Sequence, residues 1–105
     1  MKYFVYCRKS SESEDKQILS LPAQVRELKD FAFKNNLKVV HVFQEEKSAH
    51  KIGRPVFNEV IERIEKGEAN GLIVWDESRL ARNSLDGGKI IYMMDLGQIA
   101  EIVKP

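Results

Sequence analysis

Apolar residues gather in four short runs, and the stretches between them carry a helical period. Residues 3–7 are aromatic and β-branched without a polar break, which predicts a buried strand. Residues 38–43 predict a second strand. Residues 72–75 are wholly apolar, as expected for a central strand of a parallel sheet. Residues 100–103 predict a fourth. Leu21, Val25, Leu28 and Ala32 recur at i, i+4, i+7 and i+11, one face of a helix. Ser20 is placed to cap it, Pro22 falls in its first turn, and Asn35-Asn36 closes it. Pro55 opens a second helix with Phe57, Val60, Ile61 and Ile64 on one face, and Gly67 stops it. Ser84 is placed to cap a third, whose apolar residues include Ile90, Ile91 and Met94. Three polar stretches without periodicity, residues 8–16, 44–53 and 76–83, read as loops.

The order is therefore βαβαβαβ. Helices joining short apolar strands imply parallel pairing with right-handed crossovers. The expected fold class is α/β: a four-stranded, mostly parallel sheet with helices on both faces, flavodoxin-like in its βαβ order. Residues 1–105 read as one domain. The last strand runs directly to Pro105 with no helix after it, so the expectation is a domain truncated at its C-terminus, a fragment of a longer protein.

Composition narrows the setting. A 105-residue chain that is 43% hydrophobic and 31% charged suits one folded domain and not a disordered one. No apolar run approaches the roughly 18–20 residues that cross a bilayer. The N-terminus is charged too early for a secretion signal. Cys7 is the only cysteine, which excludes an intrachain disulfide and a cysteine-rich zinc site. His41 and His50 do not make a metal pair, so no metal and no cofactor is expected, in a reducing, cytoplasmic setting. With 17 basic and 16 acidic residues the formal charge is 17 − 16 = +1, so the chain is no general nucleic-acid coat. Any affinity for phosphate must rest on particular arginines.

Those arginines are in the loops. Ligands of an open parallel sheet sit outside the carboxyl ends of its strands. The first loop brings Arg8 and Ser10 there, the second Ser48, Lys51 and Arg54, the third Arg79 and Arg82. Guanidinium groups meet phosphate bidentately. Arginine stabilises the charge on a phosphoryl transition state but stays protonated, so it is a poor base. A serine among arginines thus suits phosphoryl transfer, whereas acyl transfer wants a Ser–His pair. Plainer readings stand beside this one. Arg79 and Arg82 have the spacing of a solvated helix face, Ser48 suits a turn, Trp75 and Cys7 suit the core, and His41 suits an outward strand position. Gly87-Gly88 lies inside a helical pattern and no glycine-rich loop follows the first strand, which argues against a dinucleotide fold.

Taken in order, Tyr6-Cys7-Arg8-Lys9-Ser10, Ser20-Leu21-Pro22-Ala23-Gln24, Lys47-Ser48-Ala49, Gly53-Arg54-Pro55-Val56-Phe57 and Ser78-Arg79-Leu80-Ala81-Arg82-Asn83-Ser84 resemble the catalytic domain of the serine recombinases, the resolvase/invertase family. The stretch from Ser84 to Tyr92 is most similar to the large serine recombinase branch, the phage and transposon integrases. The resemblance covers essentially the whole chain. It implies that Ser10 attacks the scissile DNA phosphate to give a 5′-phosphoseryl link, and that Arg8 contacts that phosphate and helps activate Ser10. It implies that Arg54, Arg79 and Arg82 bind phosphate and stabilise the transition state. Gln24 and Ser48 then support the pocket, with Gln17 in the same shell. DNA recombination sites would be the partner, with dimers and tetramers of the full-length protein and no small-molecule cofactor. The family usually carries aspartate directly before the first arginine of its Asp-Arg-Leu-x-Arg motif, and here that position is Ser78. Asp76 and Glu77 are nearby but out of register, and serine supplies no carboxylate. Two alternatives remain: a degenerate or isolated recombinase fragment without activity, and a non-enzymatic receiver-like or flavodoxin-like binding module. A receiver would need acids where Arg8-Lys9-Ser10 stands.

Overall fold

A computed structural model describes residues 1–9, 20–47 and 52–105. Four strands, β1 (Lys2–Arg8), β2 (Lys38–Glu45), β3 (Gly71–Ile73) and β4 (Glu101–Val103), lie in the order β2-β1-β3-β4 and pair in parallel throughout. Helix α1 (Leu21–Lys34) covers one face, and α2 (Pro55–Glu65) and α4 (Ser84–Asp95) the other. The expected α/β class is the one observed.

Strand β1 explains the layering. Alternate residues of a strand point to opposite faces. Tyr3, Val5 and Cys7 pack with Leu28 and Ala32 of α1, while Phe4 and Tyr6 pack with Phe57, Val60 and Ile64 of α2 and Ile90 and Met93 of α4. Helix α1 begins as expected: the Ser20 hydroxyl accepts the Ala23 amide at 3.3 Å, which satisfies one of the donors a helix start leaves open.

Several boundaries differ from the sequence reading. The first strand includes Arg8 and the second extends to Glu45, so both carry a charged residue into the interior. The register of β1 against β2 shifts between Tyr3 and Phe4, leaving Val40 as an extra, exposed residue, a bulge. The third strand ends at Ile73, because β1 pairs with it only as far as Val5. Trp75 follows it, partly buried against the α1 side. The stretch 76–83 is not all loop: it contains one helical turn, α3 (Glu77–Leu80), whose start is capped by Asp76. One turn is too short to show a hydrophobic period. The cap of α4 is Asn83, not Ser84. Its side chain accepts the Asp86 amide at 2.8 Å, and Asp86 returns the bond by accepting from the Asn83 side chain at 2.8 Å. Gly71 is required by packing, because a Cβ there would run into the ring of Tyr3. No helix among the described residues is long and apolar enough to cross a membrane.

Candidate active site

The carboxyl ends of β1 and β2 and the segment after β3 meet above the α2–α4 side of the sheet. Arg8 ends β1 on the same face as Tyr6 and is fully buried. Its Nε donates to the Arg79 carbonyl at 3.0 Å and its Nη1 to the Lys47 carbonyl at 2.8 Å. Arg8 therefore ties the second loop to the third. Gln24, buried in the first turn of α1, donates its side-chain amide to the Arg8 carbonyl at 3.1 Å. The Lys9 amide donates to the Glu45 carbonyl at 2.9 Å, so the β1–β2 ladder continues to the edge of the first loop.

Arg54 precedes α2, and its side chain turns inward, 1% exposed. Nη1 donates to the Tyr6 hydroxyl at 3.0 Å. Nη2 donates to the Leu80 carbonyl at 2.6 Å and to Asp86 at 3.1 Å. The Phe57 ring lies 4.0 Å below the guanidinium, a close cation–π distance. The Tyr6 hydroxyl donates onward to Glu45 at 2.6 Å. Burial, the largest influence, pushes the Tyr6 phenol well above its ordinary pKa. Arg54 pulls it down and the bond to Glu45 raises it, and the phenol stays protonated. Glu45 also accepts the amides of Val56 at 2.9 Å and Phe57 at 3.0 Å. Arg54 supplies no side-chain cap to α2, so a carboxylate from the neighbouring strand does that work, favoured by the positive end of the helix dipole.

Arg79 is buried in α3, with its amide accepted by Asp76 at 3.2 Å. Arg82 follows α3 and is exposed. Thus Arg8, Arg54 and Arg79 are brought together with Gln24 behind them, and Arg82 stands at the surface beside them. Ser10, Gln17, Ser48 and Lys51 lie outside the described residues. Ser78 is in α3, and its side chain lies outside the described part. Among the described residues the buried charged groups are three arginines, Arg8, Arg54 and Arg79, against two carboxylates, Glu45 and Asp86. Asp76, partly exposed, adds a third carboxylate at the rim, 3.8 Å from the Arg79 Nε. Cys7 is buried, and burial pushes its thiol up to about 12, as suits a core residue.

Sequence reasoning missed Tyr6, Glu45 and Asp86. Only Asp86 had a local signal, the Asn83-x-x-Asp86 spacing of a reciprocal cap.

The family described as the resolvase N-terminal domain matches residues 3–100. The chain belongs to that family. Its fold is that of serine recombinase catalytic domains. At 21% identity and a TM-score of 0.80, 99% of the chain is similar to 70% of the C-terminal catalytic domain of ISC1926 TnpA, an IS607-like serine recombinase. At the same identity and TM-score, 99% of it is similar to 77% of the N-terminal catalytic domain of TP901-1 integrase. A resolvase family site-specific recombinase from Streptococcus pneumoniae is 25% identical, with 99% of this chain and 71% of that one covered and a TM-score of 0.74. The same fold is thus found in an integrase and in an IS607-like serine recombinase.

Proposed function

We propose that this chain is the catalytic domain of a site-specific serine recombinase that acts on DNA through Ser10. The observation that carries the reading is the convergence of the Arg8, Arg54 and Arg79 side chains and main chain at the carboxyl end of the sheet, next to Lys9, the residue before Ser10. Guanidinium groups gathered at a strand end suit an anion with several oxygens, and a phosphodiester is one.

In this reading the Ser10 hydroxyl oxygen attacks the scissile phosphorus. The Oγ–P bond forms as the bond from phosphorus to the leaving 3′ oxygen breaks. The Ser10 proton leaves with a base and the departing oxygen is protonated to a free 3′-hydroxyl. Arg8, Arg79 and Arg82 are the guanidiniums that neutralise the phosphoryl oxygens, and Arg54 belongs to the same cluster. Gln24 supports Arg8 from behind, with Ser48 and Gln17 at the edge. The phosphoseryl bond keeps the energy of the cleaved phosphodiester, so religation is the reverse displacement and calls for no metal or nucleotide. Dimers and tetramers of the protein would bring the cut ends together on their recombination sites.

Covalent trapping tests this. The protein is incubated with a nicked duplex bearing its recombination site, denatured, and analysed by mass spectrometry. An adduct on Ser10 that disappears in Ser10→Ala is the expected result. DNA binding without an adduct would sink the reading. The second reading, a degenerate recombinase, is favoured by Ser78 where the family usually has aspartate. Ser78→Asp producing an adduct that the unaltered protein does not form would establish that alternative.

A further inference from the structure

Both terminal nitrogens of Arg54 are held by the protein, and only its buried Nε has no hydrogen-bond partner. Nη1 is on Tyr6, Nη2 is on both Leu80 and Asp86, and one face of the guanidinium lies over the Phe57 ring. Turning either terminal nitrogen to a phosphate would break these bonds, and turning Nη2 away would leave Asp86 beside no cation. Its contacts point instead at the segment that carries the other arginines. The carbonyls of Arg79 and Leu80 are consecutive, and they accept from Arg8 and Arg54 respectively. Asp86 joins the far end of that segment to the same guanidinium. One carboxylate oxygen accepts from Arg54 at 3.1 Å and from the Asn83 side chain at 2.8 Å, and Asn83 directly follows Arg82. On the other side, Tyr6 links Arg54 to Glu45, and Glu45 holds the first amides of α2, the helix that Arg54 precedes.

We propose that Asp86, Tyr6 and Glu45 are positioning residues. They fix Arg54 so that it pins the main chain at Leu80 and sets how Arg79 and Arg82 are presented. Arg54 itself acts from beneath the site and not on the phosphate. This rests on the reading of Arg79 and Arg82 as phosphate-binding groups.

The charge on Asp86 separates this role from simple helix capping. Asp86→Asn keeps an oxygen for Asn83 and loses the anion that faces Arg54. Glu45→Gln likewise preserves shape and removes charge. Each variant is compared with the unaltered protein, below the melting temperature of both, in single-turnover formation of the Ser10 adduct at saturating nicked duplex. DNA affinity is measured separately. Displacing reacting groups by about an ångström costs roughly 100-fold in rate. A slowing of that order, with affinity held within about twofold because neither variant removes an arginine read as phosphate-binding, is expected for both variants. An unchanged adduct rate in a folded variant would overturn the proposal.

A second measurement does not depend on chemistry. In 1H–15N spectra, Asp86→Asn should shift or broaden the amides of Leu80, Ala81 and Arg82 and leave those of Val5 and Leu28 in place. If the unaltered protein forms no adduct, the recombinase reading fails while these spectra still decide the positioning claim. Unperturbed amides at 80–82 would reject it. Should Asp86→Asn not fold, Glu45→Gln and Arg54→Lys carry the same two measurements. Arg54→Lys keeps the charge but cannot span Tyr6, Leu80 and Asp86 together, so it too should slow the adduct step.

Discussion

The two faces of strand β1 behave as different materials. Toward α1 it presents Tyr3, Val5 and Cys7, and what they meet is almost wholly apolar. Toward α2 and α4 it presents Phe4, Tyr6 and Arg8, so the same strand passes from hydrocarbon to phenol to guanidinium. The first face is held by dispersion and the exclusion of water, which tolerate small shifts. The second is held at its upper end by directional bonds among buried charges, where a partner that moves leaves another unsatisfied. One strand thus supplies both an apolar interior and the frame of the candidate site.

Replacing Arg54 should break the contrast most sharply. Arg54→Met leaves Asp86 in the interior without its cation, a loss of about 3–5 kcal/mol for removing one member of a buried pair. Urea unfolding measures it. The double change Arg54→Met with Asp86→Leu should recover part of that loss, because the stranded charge is gone as well. A single-variant cost below about 1 kcal/mol would mean that the network is only loosely coupled.

On the opposite face, Leu28→Ala removes a fully buried side chain of α1 and should cost about 2–5 kcal/mol through lost transfer energy and a cavity. Its effect should stop there. Among the molecules that remain folded, Ser10 adduct formation should proceed at the unaltered rate, whereas a matching drop in rate would show that the two faces are not independent.

The smallest effect is at the rim. Lys104, just past β4, donates to both carboxylate oxygens of Glu77 at 2.8 and 2.9 Å, and that bond holds the Glu77 carboxyl below its ordinary pKa. A depressed carboxyl stabilises the fold above its unfolded pKa and loses that contribution as pH falls through the folded value. Lys104→Met should therefore move the Glu77 titration upward in a carbon-detected NMR experiment, with little change in stability at neutral pH, since both side chains are well exposed. An unmoved titration would show that the pair does not persist in solution.

What could be read from the sequence divides along similar lines. Helix α1 was legible from Ser20 to its end because the signals are local: a cap three residues from its donor, and an apolar residue every turn. The strands were legible as apolar runs, and the loops that gather arginines followed from parallel topology alone. The network beneath the site was not. Tyr6 stands 39 residues from Glu45 and 48 from Arg54, and Arg54 stands 32 from Asp86. Periodicity reports only what adjacent turns or alternate residues share. Composition marked Arg54, Arg79 and Arg82 as equals, although two are buried and one is exposed, since burial depends on the folded chain around them. The turn α3 escaped for lack of length.

The buried arginines grip carbonyl oxygens of Lys47, Arg79 and Leu80. Every residue type carries that atom. The second loop can consequently change its side chain at position 47, which is exposed, without loosening the bond that Arg8 makes there. Constraint falls on the residues that reach, and much less on those that are reached. A framework of this kind leaves the exposed side chains free to vary over a fixed interior.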